Sequence, residues 1–325
     1  MATATPMWRT FGEEWPEFND GLNYQDRVRP ADAGLTMIEF YSRKYKNSAP
    51  LQGWLQRIQN KQIMVDGVVV SNPDARLRPG AQLLYHRLPW KEPNAPHLLE
   101  VLFEDEHLIA LNKPSGLQVL PGGLFQQRTV LTQLQWRERK LSSSSAPGEQ
   151  NPVPVHRLGR GTSGILLCAK TKLAKSCLAA YFADGTSIVQ GKKFSNPEVM
   201  RTRKIVKIYR ALAKGVISED EVVIEQPIGV IRYPGVAKGL YVASPSGKPA
   251  LSNVRVLERQ VENNWTLVEV EIQSGRPHQI RIHLSSIGHP LIGDPLYIDG
   301  GQPRGFDPDL FDDNFAQDGY VNFLL

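Results

Sequence analysis

The sequence of 325 residues predicts an α+β protein built in two parts, a small module over 34–90 and a larger one over 98–325. Three observations carry this. The length exceeds the roughly 100 to 200 residues of one typical domain. The segment Lys91-Glu-Pro-Asn-Ala-Pro96 holds two prolines, which interrupt helix and ladder alike, and so marks a linker over 91–97. On either side of it, short β-branched runs alternate with stretches of helical spacing. Residues 1–33 read as an N-terminal extension.

In the small module Leu35, Ile38 and Tyr41 or Tyr45 fall at helical spacing, and Trp54, Leu55 and Ile58 do so again, giving two short helices. Arg43, Lys44 and Lys46 close the first, while Arg57 and Lys61, four apart, share a face of the second. Ile63-Met-Val-Asp-Gly-Val-Val-Val70 follows. Asp-Gly between β-branched residues is a strong hairpin signal, because both turn positions must accept positive φ. This succession, with MVDG spaced from RPGAQL, resembles the S4 RNA-binding domain over about 55 residues. The glycine usual there before the hairpin is replaced by Lys61 or a neighbour.

In the large module VLFEDEHLIALN (Val101 to Asn112) reads as two strands around a polar turn, closed by Lys113-Pro114. Helices are expected over Thr129 to Lys140 and Thr171 to Phe182. In the second of these, Leu173, Cys177, Leu178 and Tyr181 form the buried face. Cys177 is then core, and so is Cys168 within ILLCA. The stretch Ser142 to Pro154, with four consecutive serines, and the stretch Asp184 to Pro197 read as loops. In RKIVKIYRALAK, alternation puts Val206, Ile208 and Leu212 on the core face and Lys207 and Tyr209 on the open one. Trp265 to Ile272 alternates as a strand. A helix then starts near Pro277 and stops at Gly288, with Ile280, Leu284 and Ile287 buried and His278, Arg281 and Ser285 lining a second face near its N-terminus, where anions are favoured.

Composition narrows the partner. Hydrophobic residues at 41% and charged residues at 22% are ordinary for a globular chain, and no apolar run approaches the roughly 20 residues that cross a bilayer. No membrane association is expected. Net charge is +5, but both ends are acidic: residues 21–298 carry 36 basic against 23 acidic side chains. A basic body of that kind suits a polyanion, most simply nucleic acid, although a merely solvated basic surface is an equal alternative on charge alone. Two cysteines make neither a disulfide framework nor a four-ligand zinc site, and residues 1–20 lack the pattern of a signal or transit peptide. Cytosol or nucleus is the expected location, and a monomer the expected state.

Gly159-x-Gly161-x-x-Gly164 matches a dinucleotide fingerprint in letters, but ILLCAKT after it is strand-like, whereas that fingerprint needs a helix opening on the pyrophosphate. No dinucleotide is expected. Ser163 lacks the nucleophile elbow, and His278 and His283, five apart with no glutamate between them, do not make a metal site.

Four ordered pieces resemble the RluA-type pseudouridine synthases: EDEHLIALNKPSGLQVLPG, VHRLGRGTSGILLCAKT, KIYRALAKG and SGRPHQIRIHLSSIGHPLIGDPLY. The resemblance spans 101–297 and implies a mixed, largely antiparallel central sheet with flanking helices. It also implies isomerisation of uridine in structured RNA, ribosomal or transfer, with no cofactor or metal. A catalytic aspartate acts on the ribose, an arginine pairs with it and a tyrosine lies against the base. The tyrosine falls on Tyr209, the pairing arginine on Arg281, and the arginine that replaces the extruded base on Arg157.

The aspartate falls on Gly159, and no acid lies between Glu149 and Asp184. Glycine cannot attack C1′ or remove a ribose proton, although it permits positive φ and close approach by RNA backbone. Asp294 in GDPLY is the nearest acid by motif, with a structural role expected. Arg281 must then find water, another acid or a ligand anion; it is expected to bind substrate phosphate or a uracil carbonyl. Further RNA contacts are expected from Arg43, Arg57 and Lys61 in the small module and from Lys113, Arg160, Lys204, Lys207, Arg276 and His278 in the large one. An active synthase and a catalytically impaired RNA-binding or RNA-remodelling protein on the same scaffold both remain open, with a nucleotide-cofactor enzyme a distant third.

Overall fold

The computed structural model describes residues 9–46, 48–141, 151–184, 205–233, 236–294 and 296–305. Lys204, most of the serine-rich stretch, the loop from 185 and the acidic tail from 306 lie outside the described residues. The chain divides into two units, Pro16–Glu92 and a larger one that joins residues 1–15 to 93–325. The described residues before 34 take part in both units. Arg9–Phe11 (β1) pairs within the large unit, against Leu99–Val101, and Leu22–Arg27 (β2) pairs within the small one. The expected linker is packed as well. Glu92 is buried and accepts from Asn19 Nδ2, while Trp15 Nε1 donates to the carbonyls of Ala95 and Pro96.

The small unit continues with Met37–Lys44 (α1), Leu51–Gln59 (α2), Ile63–Val65 (β3), Val68–Val69 (β4) and Gln82–Arg87 (β5). Its antiparallel sheet runs β2-β5-β3-β4. A capping box opens α1: Glu39 N–H donates to Thr36 Oγ1, and the Thr36 N–H donates back to the Glu39 carboxylate. The buried stripe of α1 is Met37, Phe40 and Tyr41, with Leu35 and Ile38 only half-buried, so the apolar spacing was read a little off its true face. The Asp66–Gly67 turn has φ of 50° and 82°, the double left-handed geometry that the hairpin signal requires. Lys61 also sits left-handed, at φ 60°, where the resembling domain usually has glycine. Because α2 ends at Gln59, Lys61 is exposed beyond it and does not share a helical face with Arg57.

The large unit is an α+β assembly of antiparallel sheets. Leu99–Glu104 (β6), Leu108–Lys113 (β7), Val130–Leu141 (α3), Val153–Pro154 (β8), Gly164–Ala169 (β9) and Lys172–Asp184 (α4) come first. Lys207–Lys214 (β10), Glu221–Ile224 (β11), Ile228–Tyr233 (β12), Val236–Ala243 (β13), Ser252–Gln260 (β14) and Trp265–Ile272 (β15) follow. The described chain ends with Gln279–Ser286 (α5), Tyr297–Asp299 (β16) and Gln302–Pro303 (β17). One sheet runs β1-β6-β7-β9-β8 and a second β10-β15-β14-β11, with β12-β13 and β16-β17 as hairpins. No described helix is long and apolar enough to cross a membrane.

Two face assignments are corrected. On β10 the inward residues are Tyr209, Ala211 and Ala213, whereas Ile208 is 57% exposed and Leu212 also faces outward. Apolar residues occur on both faces of this strand, so alternation alone could not choose. The choice falls to β15, whose buried Val270, Val268 and Thr266 lie directly opposite Tyr209, Ala211 and Ala213. On α4, Leu178 and Tyr181 turn inward as expected, joined by Ala174, but Leu173 is 70% exposed and Cys177 is exposed. Cys168 is fully buried and its thiol is pushed up to about 12 by burial. A thiol reagent is therefore expected to label Cys177 alone in the native protein and Cys168 only on unfolding. Labelling of both at one rate would contradict this packing.

Candidate active site

The glycine loop between β8 and β9 is stitched to the loop after β7. Lys113, with no exposed surface, donates from Nζ to the carbonyls of Pro114 (2.8 Å), Leu117 (2.7 Å) and Arg160 (3.1 Å). Gly116 N–H also donates to the Arg160 carbonyl, and Ser115 Oγ to that of Gly161. Lys113 is thus a structural staple with no surface of its own to offer RNA; three carbonyls replace the water that a buried ammonium loses. Burial, and then the neighbouring Arg160, hold its amine down to about 7.

Within this loop Arg157 is exposed, as a residue entering an RNA stack must be. Arg160 differs from the expectation: half-buried, its guanidinium lies over the Phe125 ring at 4.8 Å, a cation–π seat that turns it into the protein. Gly159 is half-buried and is not a positive-φ position; the left-handed backbone falls on Gly164, at 116°. Glycine at 159 is therefore not demanded by the turn. A strand follows Gly164 at once, which removes the helix that dinucleotide binding would need.

Phe182 near the end of α4 joins this loop to β10. Its ring meets that of His156 at 4.6 Å and lies under Lys207 Nζ at 5.2 Å. His156 Nε2 accepts the Leu167 N–H, and burial, with Lys207 nearby, pushes the imidazole down to about 4. Burial lowers the Lys207 amine and raises the Tyr209 phenol, which stays protonated at neutral pH. Lys207 and Tyr209 point to the same side of β10 as expected, but that side is the inner one. Tyr209 packs there against the cluster of Ile280 and Leu284 from α5.

The start of α5 is held by side chains. Gln279 Oε1 accepts from Ser274 Oγ and Arg276 N–H, and its amide donates to Leu251 O and Ser252 Oγ. Arg276 donates to the Pro249 carbonyl. His278 takes a left-handed conformation (φ 56°, ψ 19°) at the helix N-cap. Tyr297 OH donates to Tyr241 O at 2.6 Å, so it receives the His278 Nδ1–H at 2.7 Å, which fixes that tautomer. Burial, then Arg281, hold His278 well below its ordinary value. This nitrogen is committed to the fold and not to RNA.

Arg281 is only 9% exposed and forms a two-point pair with Asp294, Nε to Oδ2 at 2.8 Å and Nη2 to Oδ1 at 2.9 Å. Its guanidinium also lies over the Tyr297 ring, at 4.8 Å. Of the partners open to it in sequence, another acid is the one found, and the Nε–Nη2 edge of the guanidinium is held by that carboxylate. Asp294 further accepts the N–H groups of Leu296 and Tyr297, a local turn made by the side chain. Tyr297, which sequence reasoning passed over, is the hub of this corner; the Asp-x-x-Tyr spacing in GDPLY was its only signal. Among the described residues no group of His, Cys, Asp and Glu is arranged to hold a metal ion.

Comparison with known proteins agrees with these motifs. The RNA pseudouridylate synthase family model matches residues 107–286. RNA pseudouridine synthase 5 of Arabidopsis thaliana is 66% identical over 319 residues, 97% of this chain and 86% of that protein. The protein of the same description from Oryza sativa subsp. japonica is 61% identical, over 95% of this chain and 80% of its own. The ribosomal large subunit pseudouridine synthase D of Pseudomonas aeruginosa is 34% identical, over 78% and 69%. Matched over more than half its length by the family model and over nearly all of it by relatives, the chain belongs to the RNA pseudouridylate synthase family, of RluA type.

Proposed function

We propose that the protein isomerises a uridine turned out of structured RNA, ribosomal or transfer, at the inner side of β10 beside the glycine loop. The observation that carries this reading is the junction at Phe182, which brings the Lys207 end of β10 to His156, one residue from the exposed Arg157. Arg157 fills the gap that the base leaves, Tyr209 supports the base, and the Lys207 ammonium supplies an anion contact. The reaction breaks C1′–N1, turns the uracil and joins C5 to C1′; the proton lost from C5 is matched by one gained at N1, so the product is an isomer and no redox partner is needed. In this reading the protein works in the cytosol or nucleus, and the small unit, S4-like over 34–90, contributes RNA affinity.

A second reading, an RNA-binding or RNA-remodelling protein without turnover, is favoured by one specific observation. Arg281 is already neutralised by Asp294, so glycine at 159 leaves no charge stranded, and the site holds together without the family's carboxylate.

The two readings part on one experiment. Wild type and Gly159→Asp are incubated with cellular RNA and pseudouridine is mapped chemically. Product from both is the expected outcome and means that another group does the work of the carboxylate. Product from Gly159→Asp alone would establish the second reading.

A further inference from the structure

The small unit carries a row of aromatic rings and guanidinium groups that the proposed reaction does not use. Tyr24 arrives on β2, directly opposite Tyr85 of β5, and the two rings stack at 5.7 Å with 13° between their planes. Tyr85 is buried, while Tyr24 above it is 48% exposed and offers a flat face to solvent. Arg57 of α2 lies over Tyr85 at 5.4 Å and over Trp54 at 4.7 Å. Arg87, two residues along β5 from Tyr85 and so on the same face, lies over Trp90 at 3.7 Å. Both cations stand near the Tyr85 hydroxyl: burial raises that phenol, and Arg57 and Arg87 pull it back.

Neither guanidinium has a carboxylate partner among the described residues; Arg57 donates to the Ser48 carbonyl, at a long 3.5 Å. The acid on the same strand face as Tyr24, Asp26, is taken by Lys44 Nζ at 2.6 Å and by the Tyr45 hydroxyl. The row is therefore cationic, and the rings beneath pre-orient the arginines at little entropic cost. Its complement is a flat, uncharged group flanked by anions, which describes one base of an unpaired polynucleotide with a phosphate on each side.

We propose that this face binds an unpaired stretch of RNA, one base stacked on Tyr24 and neighbouring phosphates on Arg57 and Arg87. The site rests on the reading that the substrate is RNA, but not on any product being formed. β2 lies outside the S4-like segment over 34–90, so the stacking platform is an addition made by the N-terminal residues.

The test uses the full chain with a labelled single-stranded oligouridylate and an abasic chain of equal length, binding being read by fluorescence anisotropy at several salt concentrations. Tyr24→Ala is expected to weaken the oligouridylate at least about fivefold and to leave the abasic chain unchanged, while Tyr24→Phe keeps the affinity. Arg57→Gln with Arg87→Gln is expected to weaken both chains and to lower the salt slope by about one to two. Thermal melting identifies any variant that has lost its fold; should Tyr24→Ala do so, the arginine pair decides. The proposal is overturned if folded Tyr24→Ala binds oligouridylate as wild type does, if it loses both chains equally, or if the arginine pair leaves the salt slope unchanged. A wild type that makes no pseudouridine would count against the proposed reaction and leave these binding outcomes readable.

Discussion

Asp294→Asn is expected to destabilise the large unit by about 3–5 kcal/mol, the effect of removing one partner from a buried ion pair. The Asp294 side chain has no exposed surface and that of Arg281 is 11% exposed, so the guanidinium left behind has little water to turn to. The amide oxygen can still accept the Leu296 or Tyr297 N–H, but the amide nitrogen would face a fixed cation. Arg281→Ala should cost a similar amount by stranding the carboxylate. A paired apolar replacement, Arg281→Met with Asp294→Leu, is expected to recover only part of the loss. It removes both charges yet orphans the two backbone donors that Asp294 satisfies, each worth about 1–3 kcal/mol when buried. Calorimetry of the full chain checks this, because the transition of the large unit should move and that of the small unit should not. A shift below about 0.5 kcal/mol in Asp294→Asn would mean that the pair is solvated. The same variants separate fold from RNA contact: with its fork on Asp294, Arg281 should leave the salt slope of RNA binding where it is.

What could be read in advance follows the range of the interaction involved. The Asp66–Gly67 hairpin was legible because two adjacent residues carry its whole requirement, the two positive φ values. The strand pair around Glu104 to Leu108 and the helices Val130–Leu141 and Lys172–Asp184 were legible from periodicity. β2 was not, because LNYQDR has no alternation; nearly all of it faces water and it exists by pairing with β5. The facing of β10 is not legible in sequence because both of its faces carry apolar residues and only the register with β15 decides between them. Lys113 has the sequence signature of a surface cation, since sequence cannot show three carbonyls converging from two loops. The resemblance points to Arg281 in the helix after β15. Which acid that arginine holds depends on a turn 13 residues further on, which no local pattern encodes.

The large unit is expected to lose stability steeply as pH falls from about 6.5 towards 4, because three of its histidines are held neutral by the fold. His156 and His283 are pushed down to about 4, and His278 is held well below its ordinary value, with burial the largest cause for each. Their partners show why a second proton is refused. His156 Nε2 already accepts the Leu167 N–H, so protonation would set two donors face to face. His283 donates from Nε2 to the Gln226 carbonyl and accepts at Nδ1 from Ser252 Oγ, which in turn receives the Gln279 amide. His278 sits beside the Arg281 cation. In the unfolded chain each imidazole titrates near 6.5. The sign follows: between 6.5 and 4 the unfolded state binds protons that the native state does not, so stability is full above about 6.5 and drains as the pH drops. Each histidine contributes up to about 1.4 kcal/mol per pH unit over that window, and three together reach the few kcal/mol that separate folded from unfolded in a typical domain. Urea midpoints from pH 7.5 to 5 measure it, and His156→Gln, whose amide oxygen can still accept the Leu167 N–H, should flatten the slope by about one proton. A midpoint indifferent to pH over this range, or three histidine resonances titrating near 6.5 in the native protein, would show that these rings are open to solvent and that the packing around β9 and α5 is looser than described.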